Sequence, residues 1–249
     1  AQAPPRPVAP STPRPVAESP APCLDHWDHG RTAEARRCYS ALLRSTTDPR
    51  LQAEAAWKLG DPKRANEYFR AALAQFPKDP HARVAWGRLF LATYNRPEAA
   101  KLFKEALELD PKHAPAHLGL ALVASEGFDS AAVEAANKAL ALDPNLTAAH
   151  TLLASLALEE EDYKKAHEHL ERALATKGSP LEAYALKASI DLLQGRPDSD
   201  WIRKALAYNP RYGQVYSVPA HFYVITRRYQ EAADLYRRAI DLDPELWDA

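Results

Sequence analysis

An all-α stack of antiparallel helix pairs is the fold this sequence predicts, and three observations carry it. Chain-breaking residues stand at nearly constant intervals, Pro77, Pro111, Pro144, Gly178, Pro210 and Pro244, with gaps of 34, 33, 34, 32 and 34 residues. That period is the length of one helix–turn–helix unit, and such units bury their apolar faces against their neighbours. Ahead of each break, small residues recur at helical spacing. No alternating β-branched run occurs, and the 249 residues include only 8 glycines, so a turn-rich β architecture is excluded.

Residues 1–20, AQAPPRPVAPSTPRPVAESP, hold seven prolines and few large apolar groups. They cannot bury enough surface to offset their ordering entropy, so a disordered, polyproline-like linker is expected. Pro4-Pro5-Arg6-Pro7 offers a preformed segment to an aromatic groove. Proline-rich tails commonly serve as spacers, and the linker reading prevails.

From residue 21 to 249 the elements follow in pairs. The first unit carries Cys23 on its first helix, a turn at Asp28-His29-Gly30-Arg31, and Cys38 about two turns into its second helix. Facing positions in an antiparallel hairpin make a Cys23–Cys38 disulfide geometrically possible; two buried thiols are the bland alternative. In the second unit Ala65, Phe69 and Ala72 precede Pro77. The third reads Ala99-x3-Phe103-x2-Ala106-Leu107-x-Leu109-Asp110 before Pro111, and the fourth has Ala132, Ala136 and Ala139 before Pro144. The fifth has Ala166, Leu170 and Ala173 before Gly178; the last complete unit has Ala232, Tyr236 and Ala239 before Pro244. Spacings of four and three place these side chains on one stripe, where alanines let helices approach and the larger residue plugs the groove. Second helices are predicted to begin near Arg31, Asp61, Pro97, Asp129, Tyr163, Ser199 and Tyr229. Ala99, Ala106, Ala166, Ala173, Ala232 and Ala239 are predicted to be almost fully buried, with Phe103 and Tyr236 between them. Two units depart from the pattern. The one ending at Pro144 is a residue short at Glu126-Gly127, and the one near Asp198 and Ser199 is two residues short and lacks the tight-packing alanine.

This pattern resembles the tetratricopeptide repeat. First helices match in part, with Trp86-Gly87, Leu120-Ala121, Leu153-Ala154 and Ala220 at the bulky-then-small pair. The resemblance covers residues 21–249 and implies a right-handed solenoid of about six to seven helix-pair repeats. Glu245-Leu246-Trp247-Asp248-Ala249 reads as the opening of a further first helix, so the chain is expected to be cut within another repeat.

Composition limits function. The formal charge is −1 from 32 basic and 33 acidic residues, so no global field favours nucleic acid or an acidic membrane. No run of 18 apolar residues occurs, and no membrane span is predicted. There is no methionine, even at position 1. Ala1-Gln2-Ala3 before a proline-rich spacer looks like what remains after a secretory signal is cleaved, which would make the protein exported or periplasmic. A cloning boundary would look the same and would leave it cytoplasmic.

Candidate chemistry is thin. Asp25, His26, Asp28 and His29 cluster in CLDHWDHG, yet they border a turn, where solvated polar residues belong. His167 and His169 are two apart and point to different faces, without the H-E-x-x-H spacing. No phosphate loop, nucleophile elbow or Cys-x-x-Cys appears. Arg211, Tyr212, Tyr216, Tyr223, Arg227 and Arg228 make a basic–aromatic stretch of the kind that binds single strands. Tyr229 and Tyr236 fall on the repeat's own packing positions, however, and packing explains most of these aromatics. No catalytic residue, metal or cofactor is expected.

What the resemblance implies is a scaffold that binds a protein or peptide in a concave groove lined by first helices. Carried over residue by residue, the groove positions are Val84, Arg88 and Leu91; Leu118 and Leu122; Thr151, Ser155 and Leu158; Ala185, Ser189 and Leu192; and Ser217, His221 and Val224. Members that clamp acidic chaperone tails use lysine, arginine and asparagine there, and only Arg88 qualifies. The inventory suits a helical or extended apolar segment. In bacteria such repeats often precede another domain, hydrolases included. The alternative is therefore an accessory module of a larger enzyme whose catalytic domain lies beyond residue 249, with the ligand a downstream part of the same chain.

Overall fold

The structure is a computed structural model that describes residues 20–127 and 130–244. The expectations for residues 1–19 and 245–249 lie outside them. Among the described residues there are fourteen α-helices and no strand. They run α1 (Ala21–Asp28), α2 (Thr32–Ser45), α3 (Pro49–Lys58), α4 (Pro62–Gln75), α5 (Pro80–Ala92), α6 (Arg96–Leu109) and α7 (Ala114–Ala124). There follow α8 (Ser130–Leu142), α9 (Thr147–Glu159), α10 (Tyr163–Ala175), α11 (Leu181–Leu193), α12 (Asp200–Tyr208), α13 (Gln214–Ile225) and α14 (Tyr229–Leu242). Every second helix begins within one residue of its predicted start.

Local chemistry explains the boundaries. Asp48, Asp61 and Asp79 each stand before a proline at the first helical position, and their carboxylates accept from the backbone N–H groups of Arg50, Arg64 and His81. The cap satisfies an orphan donor, and proline loses nothing there because its missing N–H has no helical partner. Asn95 and Asp162 cap α6 and α10 in the same way. In six of the seven units the turn closes on one left-handed residue, Gly30, Gly60, Tyr94, Glu161, Gly195 or Arg227. The residue-short fourth unit makes its turn through a 3-10 segment, Ser125–Gly127.

Packing follows the alanine stripe. Ala99, Ala106, Ala166, Ala173, Ala232 and Ala239 are all at most 3 % exposed, and Phe103 is fully buried between its pair. Tyr236 is a correction: it is exposed, and Tyr229 is more so. A second-helix residue is covered only when the following unit packs on it, and no described helix follows α14. Pro219 also stands inside α13, where the alanine pattern gives no hint of a break. In the short unit, α12 has 9 residues and α11 packs directly on α13. Trp201 of α12 covers the buried Lys187, whose ammonium reaches Glu171 at 2.5 Å. The disulfide joins Cys23 and Cys38 with Cα atoms 5.3 Å apart.

Two buried histidines tie neighbouring helices together. His113 Nε2 lies 3.1 Å from His81 Nδ1. His150 Nε2 donates to the Pro144 carbonyl at 3.1 Å, leaving its Nδ1 to accept from His169 Nδ1 at 3.1 Å. Burial is the main cause that depresses His113, His150 and His169 below the usual imidazole value, with the facing imidazole adding to it for His113 and His169. Below pH about 6.5 the unfolded chain therefore binds protons that the folded chain resists, and stability falls as the pH drops through that value. Desolvated carboxylates such as Glu54 and Glu182, raised chiefly by loss of water, act in the opposite sense nearer their own range. Thermal melts are expected to shift down by several degrees between pH 7 and 5.5, and His150→Gln should flatten that slope. Equal slopes in both proteins would contradict the assignment.

The inner channel as candidate binding site

The stack curls until its first unit meets its sixth. The His29 ring stacks on Tyr208 with centroids 4.3 Å apart, and Arg211 Nη1 donates to Thr32 Oγ1 at 3.2 Å. Gly30 lies against Asn209: a Cβ there would sit 2.3 Å from Asn209 Oδ1, and its φ of +70° is itself unfavourable for a residue with a side chain. Only glycine permits this approach.

Because the ends meet, helices distant in sequence wall the same spaces. A cavity of about 560 Å³ has Leu24, Trp27, Asp28 and Lys58 on one side and Thr147, Glu182, Asn209, Tyr212 and Gln214 on the other. A second, of about 460 Å³, continues from Glu182 and Gln214 past Ser155, Leu186, Ser217, Val218 and His221 to Tyr236 and Ile240 of α14. A third, of about 300 Å³, lies along α3 and α5 between Leu51, Glu54, Trp57, Lys58 and Arg88. Together they form an inner channel.

Charges on the channel wall feel little water. Burial is the main cause that lowers Lys58 and raises Glu54 and Asp28; Arg88 lowers Lys58 further, while Lys58 partly offsets the rise in both carboxylates. The Lys58 ammonium also lies 5.7 Å over the Trp27 ring and 5.5 Å over the Trp57 ring. Tyr212 is pushed well above the usual phenol value, first by burial and then by the charge of Glu182.

The groove positions read from sequence divide into two sets. Arg88 lines the third cavity, and Ser155, Ser217 and His221 line the second. Leu91 and Leu122 are half-buried and Val224 is exposed. Val84, Leu118, Leu158 and Leu192 are buried in packing between helices, and Ala185 and Ser189 are fully buried, with Ser189 Oγ donating to the Ala185 carbonyl. Thr151 is buried as well and donates to Glu182. Those apolar positions therefore do not form one exposed strip. The row facing the channel runs about a turn earlier on the later helices, at Glu182, Leu186, Gln214 and Ser217. A charged residue within a first helix, as at Lys58 and Glu182, was the available signal.

Tetratricopeptide repeat models match residues 24–80, 50–93 and 84–147, and another matches 214–246. This chain belongs to the tetratricopeptide repeat family. Such repeats are scaffolds for protein binding. Several solved structures share the solenoid. A thermophilic tetratricopeptide repeat protein from Thermus thermophilus aligns with TM-score 0.59 at 21 % identity, over 74 % of this chain and 97 % of that one. One from Parabacteroides merdae aligns with TM-score 0.55 at 17 % identity, over 93 % and 87 %. A monomeric mutant of IFIT1 with m7Gppp-AAAA aligns with TM-score 0.55 at 16 % identity, over 89 % of this chain, which spans 64 % of the IFIT1 chain. At these identities the likeness is one of fold. No curated protein matches the sequence. No helix among the described residues is long and apolar enough to cross a membrane.

Proposed function

We propose that this tetratricopeptide repeat protein is a non-catalytic scaffold that holds a helical or extended segment of another protein in its inner channel. One observation carries the reading: two contiguous cavities of about 560 and 460 Å³ share Glu182 and Gln214 and follow the first helices along the inner wall. Volumes of this size, with apolar walls and a few convergent polar groups, are what ligand sites present. Leu186, Val218, Phe222 and Ile240 supply the apolar wall, while Ser155, Ser217 and His221 supply hydrogen-bonding groups. Acidic and basic residues balance along this wall, and the likeness to IFIT1 at 16 % identity is one of fold, so the ligand named for IFIT1 is not carried over. The Cys23–Cys38 disulfide supports residence in an oxidising, exported compartment.

The test is selection from a displayed library of random 12-residue peptides on the full chain, repeated with Ser217→Arg. A long cation at half-buried Ser217 fills the second cavity without touching the core. Capture is expected to fall at least tenfold while the melting midpoint stays put. Equal capture by both proteins would place the binding surface elsewhere.

A further inference from the structure

Resting on the channel as the binding surface, we infer that Glu182 selects the ligand's chemistry: the segment bound there carries a lysine or arginine flanked by large apolar side chains. Glu182 stands in the first turn of α11 and lines both of the larger cavities. Its side chain is solvent-exposed and faces the space between the first helices, within reach of a bound segment. Its one protein partner is Thr151, whose Oγ1 donates to Oε2 at 2.8 Å. A carboxylate offers about four acceptor positions, so most of its capacity faces the cavity unused.

The other acidic groups around the channel have cations of the protein acting on them. Lys58 acts on Asp28 and Glu54, Arg88 acts on Glu54, and Arg211 lies 3.8 Å from Asp243. Among the described residues no lysine or arginine reaches Glu182. Arg211, which lines the first cavity with it, is turned to Thr32 and Asp243 instead. Burial accordingly holds the Glu182 carboxyl above its usual range, with only the Thr151 hydroxyl pulling it back. A carboxylate with open acceptor positions and no cation beside it is a ready partner for a ligand ammonium or guanidinium, which would make charge-assisted hydrogen bonds to it.

The surroundings define the rest of the ligand. The second cavity sets Leu186, Val218, Phe222 and Ile240 beside the carboxylate, so the residues next to the cation should be large and apolar. Lysine and arginine stems fit such a wall, because their methylenes pack while the head reaches the acid.

The experiment uses the same displayed library on the wild-type chain and on Glu182→Gln, which keeps the acceptor for Thr151. Wild type is expected to enrich peptides with lysine or arginine between apolar residues, and Glu182→Gln to lose that enrichment while still capturing peptides. A selected peptide is then synthesised with its lysine replaced by norleucine. On the wild-type chain this should weaken binding about tenfold or more, and on Glu182→Gln by much less, since the coupling belongs to the pair. The ligand-side change keeps the test valid if Glu182→Gln folds poorly. Captured peptides without basic enrichment, or a norleucine effect equal on both proteins, would overturn this inference and leave the channel reading standing. Failure to capture any peptide, or capture untouched by Ser217→Arg, would overturn the channel reading and this inference with it.

Discussion

Phe103→Ala is expected to destabilise the protein by about 3–5 kcal/mol, the range for deleting a large aromatic from a tight core. Phe103 is fully buried, and its ring lies between two first helices rather than one. A Cβ at Gly87 would come 2.6 Å from the ring and one at Gly119 2.5 Å, so the ring rests on the bare backbones of α5 and α7. The site cannot collapse when the ring is removed, because glycines have no side chains to move in. Loss at this position also uncouples the third unit from the fourth, and in a stacked array neighbour contacts supply most of the stability. Urea unfolding followed by circular dichroism should show a lower midpoint. A second, partly unfolded step is expected as the array divides. A loss under about 1 kcal/mol would mean that the ring is not wedged as described. Gly119→Val tests the same contact from the other side and should cost about 1–3 kcal/mol through overpacking.

Removing the disulfide is the second large effect. Cys23 and Cys38 are 15 residues apart, and closing a loop of that size is worth about 3 kcal/mol. The first unit depends on it because α1 is only 8 residues long and covers α2 without a unit before it among the described residues. Cys23→Ala with Cys38→Ala should therefore act locally. Hydrogen exchange is expected to quicken through α1, α2 and the Tyr208–Arg211 segment that touches them, and to change little elsewhere beyond α5. Uniform loss of protection along the whole chain would show that the first unit is not an independent element.

Much of the architecture was legible because helix pairing is a local property. The spacing of Ala99, Phe103 and Ala106 specifies a face, and Pro111 specifies where the helix must stop; neither depends on anything distant. Asp–Pro pairs at 48–49, 61–62 and 79–80 fix starts by the same local logic. What escaped depends on neighbours. The exposure of Tyr236 reflects what packs beyond α14, which its own sequence position does not encode. The inner wall escaped for a related reason. Which turn of α11 faces the channel depends on how successive units stack, which the residues of α11 alone do not encode. Glu182 and Lys58 thus stand across one cavity although nothing in the residues around either marks the other. The contact of His29 with Tyr208 was equally hidden.

That last contact changes how a bound segment would come and go. In an open coil a ligand peels off sideways, and its lifetime is set by its own contacts. Here, among the described residues, the walls meet through the His29–Tyr208 ring stack, the Arg211–Thr32 hydrogen bond and the approach of Gly30 to Asn209, joining residues as far as 179 positions apart. While that clasp is shut, a segment in the lumen leaves only by sliding out endwise. A segment bound there as proposed would then have a residence time set by the faster of endwise sliding and opening of the clasp.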